Sequence, residues 1–264
     1  MEVYSHSRLS CFEQCKLRFK LKYIDKLEPE VETTIEAHLG SVVHSVLEWL
    51  YIQVKKNKIP SIEEIINYYS EVWEKDFKEE IRIINGNAEI YFNKGIEFII
   101  NYYMKHCPFD DGTLEIEKKI HFKLDESEEY LIQGFIDRLV YNKETGEYEV
   151  HDYKTANNLP RKENIENDRQ LALYSIAVKE LFGQDKEVIL VWHYLAHNMK
   201  ICSKRTNKQL EQLKKETIEL IKKIESTENF PTNKGILCNW CDFKSMCSAW
   251  GGKLPKKDVQ MILE

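Results

Sequence analysis

No stretch of this 264-residue sequence approaches the roughly 20 consecutive apolar residues of a membrane span, so no membrane-crossing helix is expected. The opening MEVYSHSRLS lacks the apolar stretch of a signal peptide, and a cytoplasmic location is expected. Internal repeats, low-complexity tracts and linkers are missing too. With 42% hydrophobic content, residues 1–264 are therefore expected to bury one core as a single domain. There is no excess of positive charge: a net charge of −6 argues against wholesale coating of nucleic acid. Nor is there an even set of cysteines. Seven of them fit a secreted disulfide framework poorly and fit free thiols plus a metal or cluster site better.

What is present begins with local charge. Residues 1–26 carry Arg8, Lys16, Arg18, Lys20, Lys22 and Lys26 against Glu2, Glu13 and Asp25. Basic character on one element either guides a polyanion or forms a solvated face. Residues 5–24 read as a helix with Phe12, Cys15, Phe19 and Tyr23 on its apolar stripe. An acidic, irregular piece spans Glu28 to Glu36, and then HLGSVVHSVLEWLY places Gly40, His44 and Glu48 on one helical face. Ser61 and Glu64 form a capping box, and a second aromatic-rich helix covers Ala88 to Lys105. Residues 50–110 are thus expected to be a helical insertion packing over the core or walling a groove.

From Thr113 the pattern changes to strands, and GFIDRLVYNKETGEYEVHDYKT reads as a hairpin. If Tyr141 faces Tyr148, then Asp137 faces Asp152. Two opposed carboxylates repel unless something positive lies between them. Lys154 shares the face of Asp152, while Tyr153 points to the other layer. Two oxygen ligands and one ammonium suit a divalent ion such as Mg²⁺. After the hairpin comes a polar loop with Arg161 and Lys162. Asp168 then caps a helix through Phe182 that presents Gln170 and Tyr174 on one face. VILVWHYL and MKICSK supply further strands, and 207–225 a last helix.

The tail, residues 230–250, holds the second strong signal, CNWCDFKSMC, with Cys238, Cys241 and Cys247. Three thiolates this close need a fourth. Cys15 is the candidate and Cys11 its competitor, and four thiolates hold either Zn²⁺ or an iron–sulfur cluster. Cys107 and Cys202 are expected to be ordinary buried thiols.

Taken in order, Cys15, LGSVVH with His44, GFID with Asp137, DYK with Asp152 and Lys154, QLALY with Gln170 and Tyr174, and C-x2-C-x5-C resemble the RecB-like branch of the PD-(D/E)XK nucleases. The resemblance is to its iron–sulfur members, the CRISPR-associated (Cas) exonucleases and the AddB nuclease domain. It runs from the first helix to the last cysteine and is weakest over 50–110. Cys15, Phe19 and Tyr23 match the family's CxxxFxxxY start, which favours Cys15 over Cys11. Asp152 stands where many members have Glu.

The resemblance implies an α/β, restriction-endonuclease-like fold, a mixed central sheet flanked by helices. It also implies metal-dependent hydrolysis of DNA, as an exonuclease on single-stranded or frayed ends, in processing, repair or CRISPR adaptation alongside protein partners. The implied metal set for Mg²⁺ or Mn²⁺ is His44, Asp137, Asp152 and the Tyr153 carbonyl. Lys154, Gln170 and Tyr174 complete the site, and Cys15, Cys238, Cys241 and Cys247 hold a [4Fe–4S] cluster, with Zn²⁺ the alternative occupant. A non-catalytic DNA-binding or adaptor subunit that keeps fold and cluster is the alternative function.

Overall fold

The computed structural model describes residues 3–29, 33–78, 80–126 and 129–253. Glu2 and the middle of the acidic segment between Glu28 and Glu36 lie outside them. A short strand β1 (Val3–Tyr4) leads into α1 (His6–Gln14), α2 (Lys16–Phe19) and a π-helical turn over Lys20–Ile24. The helices α3 (Ile35–Lys55), α4 (Ile62–Asp76) and α5 (Ala88–His106) follow. Next come β2 (Thr113–Lys123), β3 (Leu131–Asn142) and β4 (Glu147–Lys154). After the one-turn α6 (Lys162–Glu166) and α7 (Arg169–Phe182), the chain forms β5 (Val188–Tyr194), β6 (Met199–Lys204) and α8 (Asn207–Glu225). The tail is made of two 3-10 turns, Ile236–Trp240 and Ser248–Trp250. Among the described residues no helix is long and apolar enough to cross a membrane.

The expected capping box at Ser61 and Glu64 starts α4, and Asp168 caps α7 through the Leu171 N–H. The first helix differs from the single run expected. It breaks at Cys15, whose φ of −160° and ψ of 112° are those of a strand. The break takes Cys15 off the apolar stripe and leaves Cys11 as the buried stripe residue. Cys107, at the end of α5, and Cys202, on the outer strand β6, are exposed rather than buried. Neither has a covering layer, because α5 ends there and β6 pairs only with β5.

All six strands form one mixed sheet. The strand β3 pairs antiparallel with β2 along one edge, from Thr113↔Val140 to Lys123↔Leu131. Its other edge carries β4 antiparallel, from Arg138↔His151 to Asn142↔Glu147, and β1 parallel at Leu131 and Ile132. Between them, over 133–137, that edge has no partner strand among the described residues. A parallel β4–β5 pair needs a crossover, which α6 and α7 supply, and β6 closes the sheet antiparallel to β5. The helices α1, α2, α7 and α8 pack on one face around Phe12, Phe19, Ile136, Leu173 and Trp192. On the other face α3, α4 and α5 pack around Leu47, Tyr69, Trp73 and Tyr102 together with Tyr153 of β4. The helices of the expected insertion therefore form most of one layer of the sandwich, packed over the sheet.

Arg138 is fully buried within that second layer. Its Nε donates to Tyr153 Oη at 2.9 Å, its guanidinium pairs with Asp111 and lies 4.1 Å from the Tyr51 ring, and it donates to His151 Nδ1 at 2.7 Å. His151 Nε2 meets Glu149 at 2.9 Å and His151 Nδ1 meets His193 Nε2 at 2.8 Å. With Nδ1 accepting, the network assigns His151 as neutral. Burial, and then Arg138 for His151 and His151 itself for His193, hold both histidines well below their ordinary pKa.

The sign follows from linkage. Both rings are neutral when folded and take up protons when unfolded, so their contribution is complete above about pH 6.5 and is lost as the pH falls below it. Each contributes a slope approaching about 1.4 kcal/mol per pH unit. We expect urea unfolding between pH 6.5 and 5 to show steep acid lability, and His193→Gln to remove about half of the pair's slope. An unchanged slope in that variant means that His193 is already protonated in the fold.

Candidate active site

The hairpin has the expected register, Tyr141↔Tyr148, but its ladder ends at Arg138↔His151. One step further on, where Asp137 and Asp152 would face each other, the strands diverge. The Asp137 carboxylate takes the place of backbone in the ladder, its Oδ2 accepting the Tyr153 N–H at 3.0 Å. Into this notch α3 directs His44. His44 Nδ1 lies 3.3 Å from Asp137 Oδ2, and Nε2 donates to the Tyr153 carbonyl at 2.7 Å. Burial pulls the His44 pKa down, but the Asp137 and Asp152 carboxylates outweigh it and lift it to about 9. An imidazolium proton thus supplies the positive charge that the carboxylates require.

Asp152 is buried, and its carboxylate faces Lys154 Nζ at 2.8 and 3.0 Å. Burial, with Asp137 adding to it, raises the Asp152 pKa above the ordinary carboxylate range. Oδ2, though close to the ammonium, has no hydrogen bond of good geometry. Lys154 also donates to Gln170 Oε1 at 3.1 Å, so the first turn of α7 orients the ammonium. Tyr174, one turn on, packs where a side chain on residue 134 would be: a Cβ there would lie 2.6 Å from its ring. Gly134 therefore sets how closely α7 approaches β3, and with it the reach of Gln170.

One acidic residue escaped the sequence reading. Glu117 on β2 has φ of 46°, a left-handed conformation rare for a side-chain-bearing residue. At this point the alternation of β2 and β3 changes phase. Ile120, Phe122 and Ile136 pack into the first core, whereas Ile116 and Arg138 turn to the second. Such an irregularity re-aims a side chain. Glu117 then converges with His44 and Asp137, one ligand atom of each lying within 4.8 Å of the others. Burial, then repulsion from Asp137 and Glu48, push its pKa up to about 7. These residues, with Gly40, Ser41, Ser45 and Glu48, line an open pocket of about 440 Å³. No spacing rule marks residue 117; the only trace was Glu48, one turn after His44.

The donor set of imidazole nitrogen, carboxylates and a backbone carbonyl fits a hard divalent cation such as Mg²⁺ or Mn²⁺. An unpartnered buried oxygen on Asp152 and a proton held on His44 are both consistent with a site built for positive charge. His44, Glu117 and Asp137 converge, whereas Asp152 lies beside them and engages Lys154. Arg161 and Lys162 do not join the cluster. Both are exposed, and Lys162 lies 3.6 Å from Glu166.

A second cavity, of about 260 Å³, lies between the first helices and the tail and is lined by Cys15, Cys238, Cys241 and Cys247. Cys11 is not among its walls, and burial raises the Cys11 pKa to about 11. Among the described residues no three of these sulfurs lie within 4.8 Å of one another. Thiolates at ~2.3 Å from a single zinc ion would stand roughly 3.8 Å apart, so the spacing fits a bulkier cluster better. The basic face of the first helices is largely engaged here: Arg18 and Lys22 approach Asp242 at 2.8 and 3.6 Å. Lys20 pairs with Asp25.

No curated protein sequence matches the chain. Among solved structures it is similar to a candidate exonuclease from Eubacterium rectale, at 14% identity and a TM-score of 0.52, over 98% of this chain and 91% of that one. It also aligns with the crystal structure of SSO0001 at 15% identity, over 96% of this chain and 87% of that one, with a TM-score of only 0.44. The sequence profile of the PD-(D/E)XK nuclease superfamily matches residues 3–248, from β1 through the last cysteine of the tail, and the chain belongs to that superfamily.

Proposed function

We propose that the protein is a Mg²⁺- or Mn²⁺-dependent exonuclease that hydrolyses DNA from single-stranded or frayed ends. The observation that carries this reading is the convergence of His44, Asp137 and the Tyr153 carbonyl with the Asp152–Lys154–Gln170 chain where β3 and β4 part. In this reading His44, Asp137, Asp152, Glu117 and the Tyr153 carbonyl hold the ion. When bound, it neutralises phosphate charge and acidifies a coordinated water. Lys154 orients the nucleophile and faces the charge that grows on the phosphate, while Gln170 and Tyr174 fix its position. Cys15, Cys238, Cys241 and Cys247 hold an iron–sulfur cluster with no part in the hydrolysis, because phosphodiester cleavage transfers no electron. The name of the Eubacterium rectale neighbour agrees with the exonuclease reading.

End-labelled single- and double-stranded DNA with Mg²⁺, Mn²⁺ or EDTA tests the proposal. Nucleotides should be released progressively from single-stranded ends, and EDTA should stop the release. His44→Ala and Glu117→Gln should both raise the Mn²⁺ concentration needed for half-maximal rate, with partial rescue by excess Mn²⁺. Cleavage that persists in EDTA, or a metal response unchanged in both variants, counts against the ligand set.

A further inference from the structure

We propose that the exposed face at the far end of the β2–β3 pair binds single-stranded DNA, with Phe135 stacking on a base next to the scissile phosphate. This inference rests on the nuclease reading and deepens it. Phe135 follows Gly134 on β3 and is exposed over 52% of its surface, although its neighbours in sequence are buried. It stands two residues from Asp137 on the same face, about 7 Å along the strand. Lys119 sits directly across from it on β2, and the next pair on that face is His121 and Gln133. All four are exposed. Beneath them Ile120, Phe122, Ile132 and Ile136 anchor the two strands in the core, so the platform is rigid.

The composition of the strip identifies its occupant. A protein-docking face would present a contiguous apolar patch. Here a single aromatic ring is framed by Lys119, His121 and Gln133. An aromatic side chain beside cations is how sequence-independent single-strand binding is built, because every unpaired base offers a π-face. A duplex keeps those faces stacked inside. The strip also leads directly to Asp137 and Glu117, so a strand lying on it delivers a phosphate to the candidate metal site.

Binding of a fluorescein-labelled oligothymidylate, followed by anisotropy in EDTA, separates the possibilities, with kcat/KM on the same strand in Mn²⁺ measured in parallel. Phe135→Ala should weaken binding roughly ten- to hundredfold, and Phe135→Trp should retain it. An abasic nucleotide at the stacking position should bring wild type and Phe135→Ala to equal affinity, which a folding defect would not do. Lys119→Ala should lower the slope of log affinity against log salt by about 0.7. The inference is overturned if wild type cleaves the strand while Phe135→Ala binds and cuts it equally well. It is also overturned if the alanine variant loses as much affinity for the abasic strand or for blunt duplex, or if wild type prefers an RNA oligomer. If wild type neither binds nor cuts DNA under any metal, the nuclease reading itself has failed.

Discussion

Lys154→Met is expected to lower the rate of DNA cleavage by two to three orders of magnitude, roughly the effect of removing one preorganised charge donor from a developing oxyanion. Burial pulls the Lys154 pKa down, but Asp152 outweighs it and the pKa stays above that of an ordinary lysine. At neutral pH the group is therefore a fixed cation and cannot act as a general base. Its ammonium is held between Asp152 and Gln170 with a third of the side chain still open to solvent, which leaves it able to meet a phosphate. Methionine fills a similar volume without the charge. The metal-free variant leaves Asp152 buried without its cation, a situation that destabilises the fold. We expect a lower melting temperature in EDTA that Mn²⁺ largely restores, and DNA binding within a few-fold of wild type, because contacts away from the site supply most of the affinity. A wild-type cleavage rate in this variant removes Lys154 from the chemistry.

The hairpin at the centre of the site was legible because a strand's period of two and a short polar turn leave little freedom: once Tyr141 faces Tyr148, Asp137 and Asp152 must come near each other. The capped helices α4 and α7 were legible for the same local reason. What escaped depends on the third dimension. Glu117 enters the site because one residue adopts a left-handed conformation and two strands change phase together, which no alternation rule encodes. Arg138 reads as a solvated strand residue and is instead enclosed by three tyrosines, because the helices packed on this face cover the strand there. Cys15 was assigned to the fourth position beside the tail cysteines and does line their cavity, but through a break in the helix rather than along its stripe. The cations of the first helices looked free to meet a polyanion. Most of their charge is spent on Asp242 and Asp25, which shifts the expected DNA contact to the sheet.

Serine at Cys15, Cys238, Cys241 or Cys247 is expected to cost about 5 kcal/mol of stability, since the cysteines sit at opposite ends of the chain and a cluster between them closes nearly the whole of it into a loop. The contacts that would remain are few. Leu17 N–H donates to the Pro231 carbonyl at 3.2 Å, Asn233 to Gln14 O at 2.8 Å and Arg82 to Cys241 O at 3.0 Å, while Arg18 pairs with Asp242. Partly exposed ion pairs of this kind contribute at most about 1 kcal/mol each. Neither 3-10 turn of the tail buries a side chain, and Phe243 between them is the tail's one anchor in the core among the described residues. Protein purified without oxygen should be brown and contain iron. Each serine variant should bleach, melt at lower temperature and be cut by protease near both ends, while the 134–155 hairpin stays protected. Cys11→Ser is the control: placing a hydroxyl in the core lowers stability but leaves the colour, because Cys11 faces away from the cavity. Zinc without iron in anaerobic protein rules out the cluster, and a full cluster in Cys15→Ser together with its loss in Cys11→Ser reverses the choice of ligand.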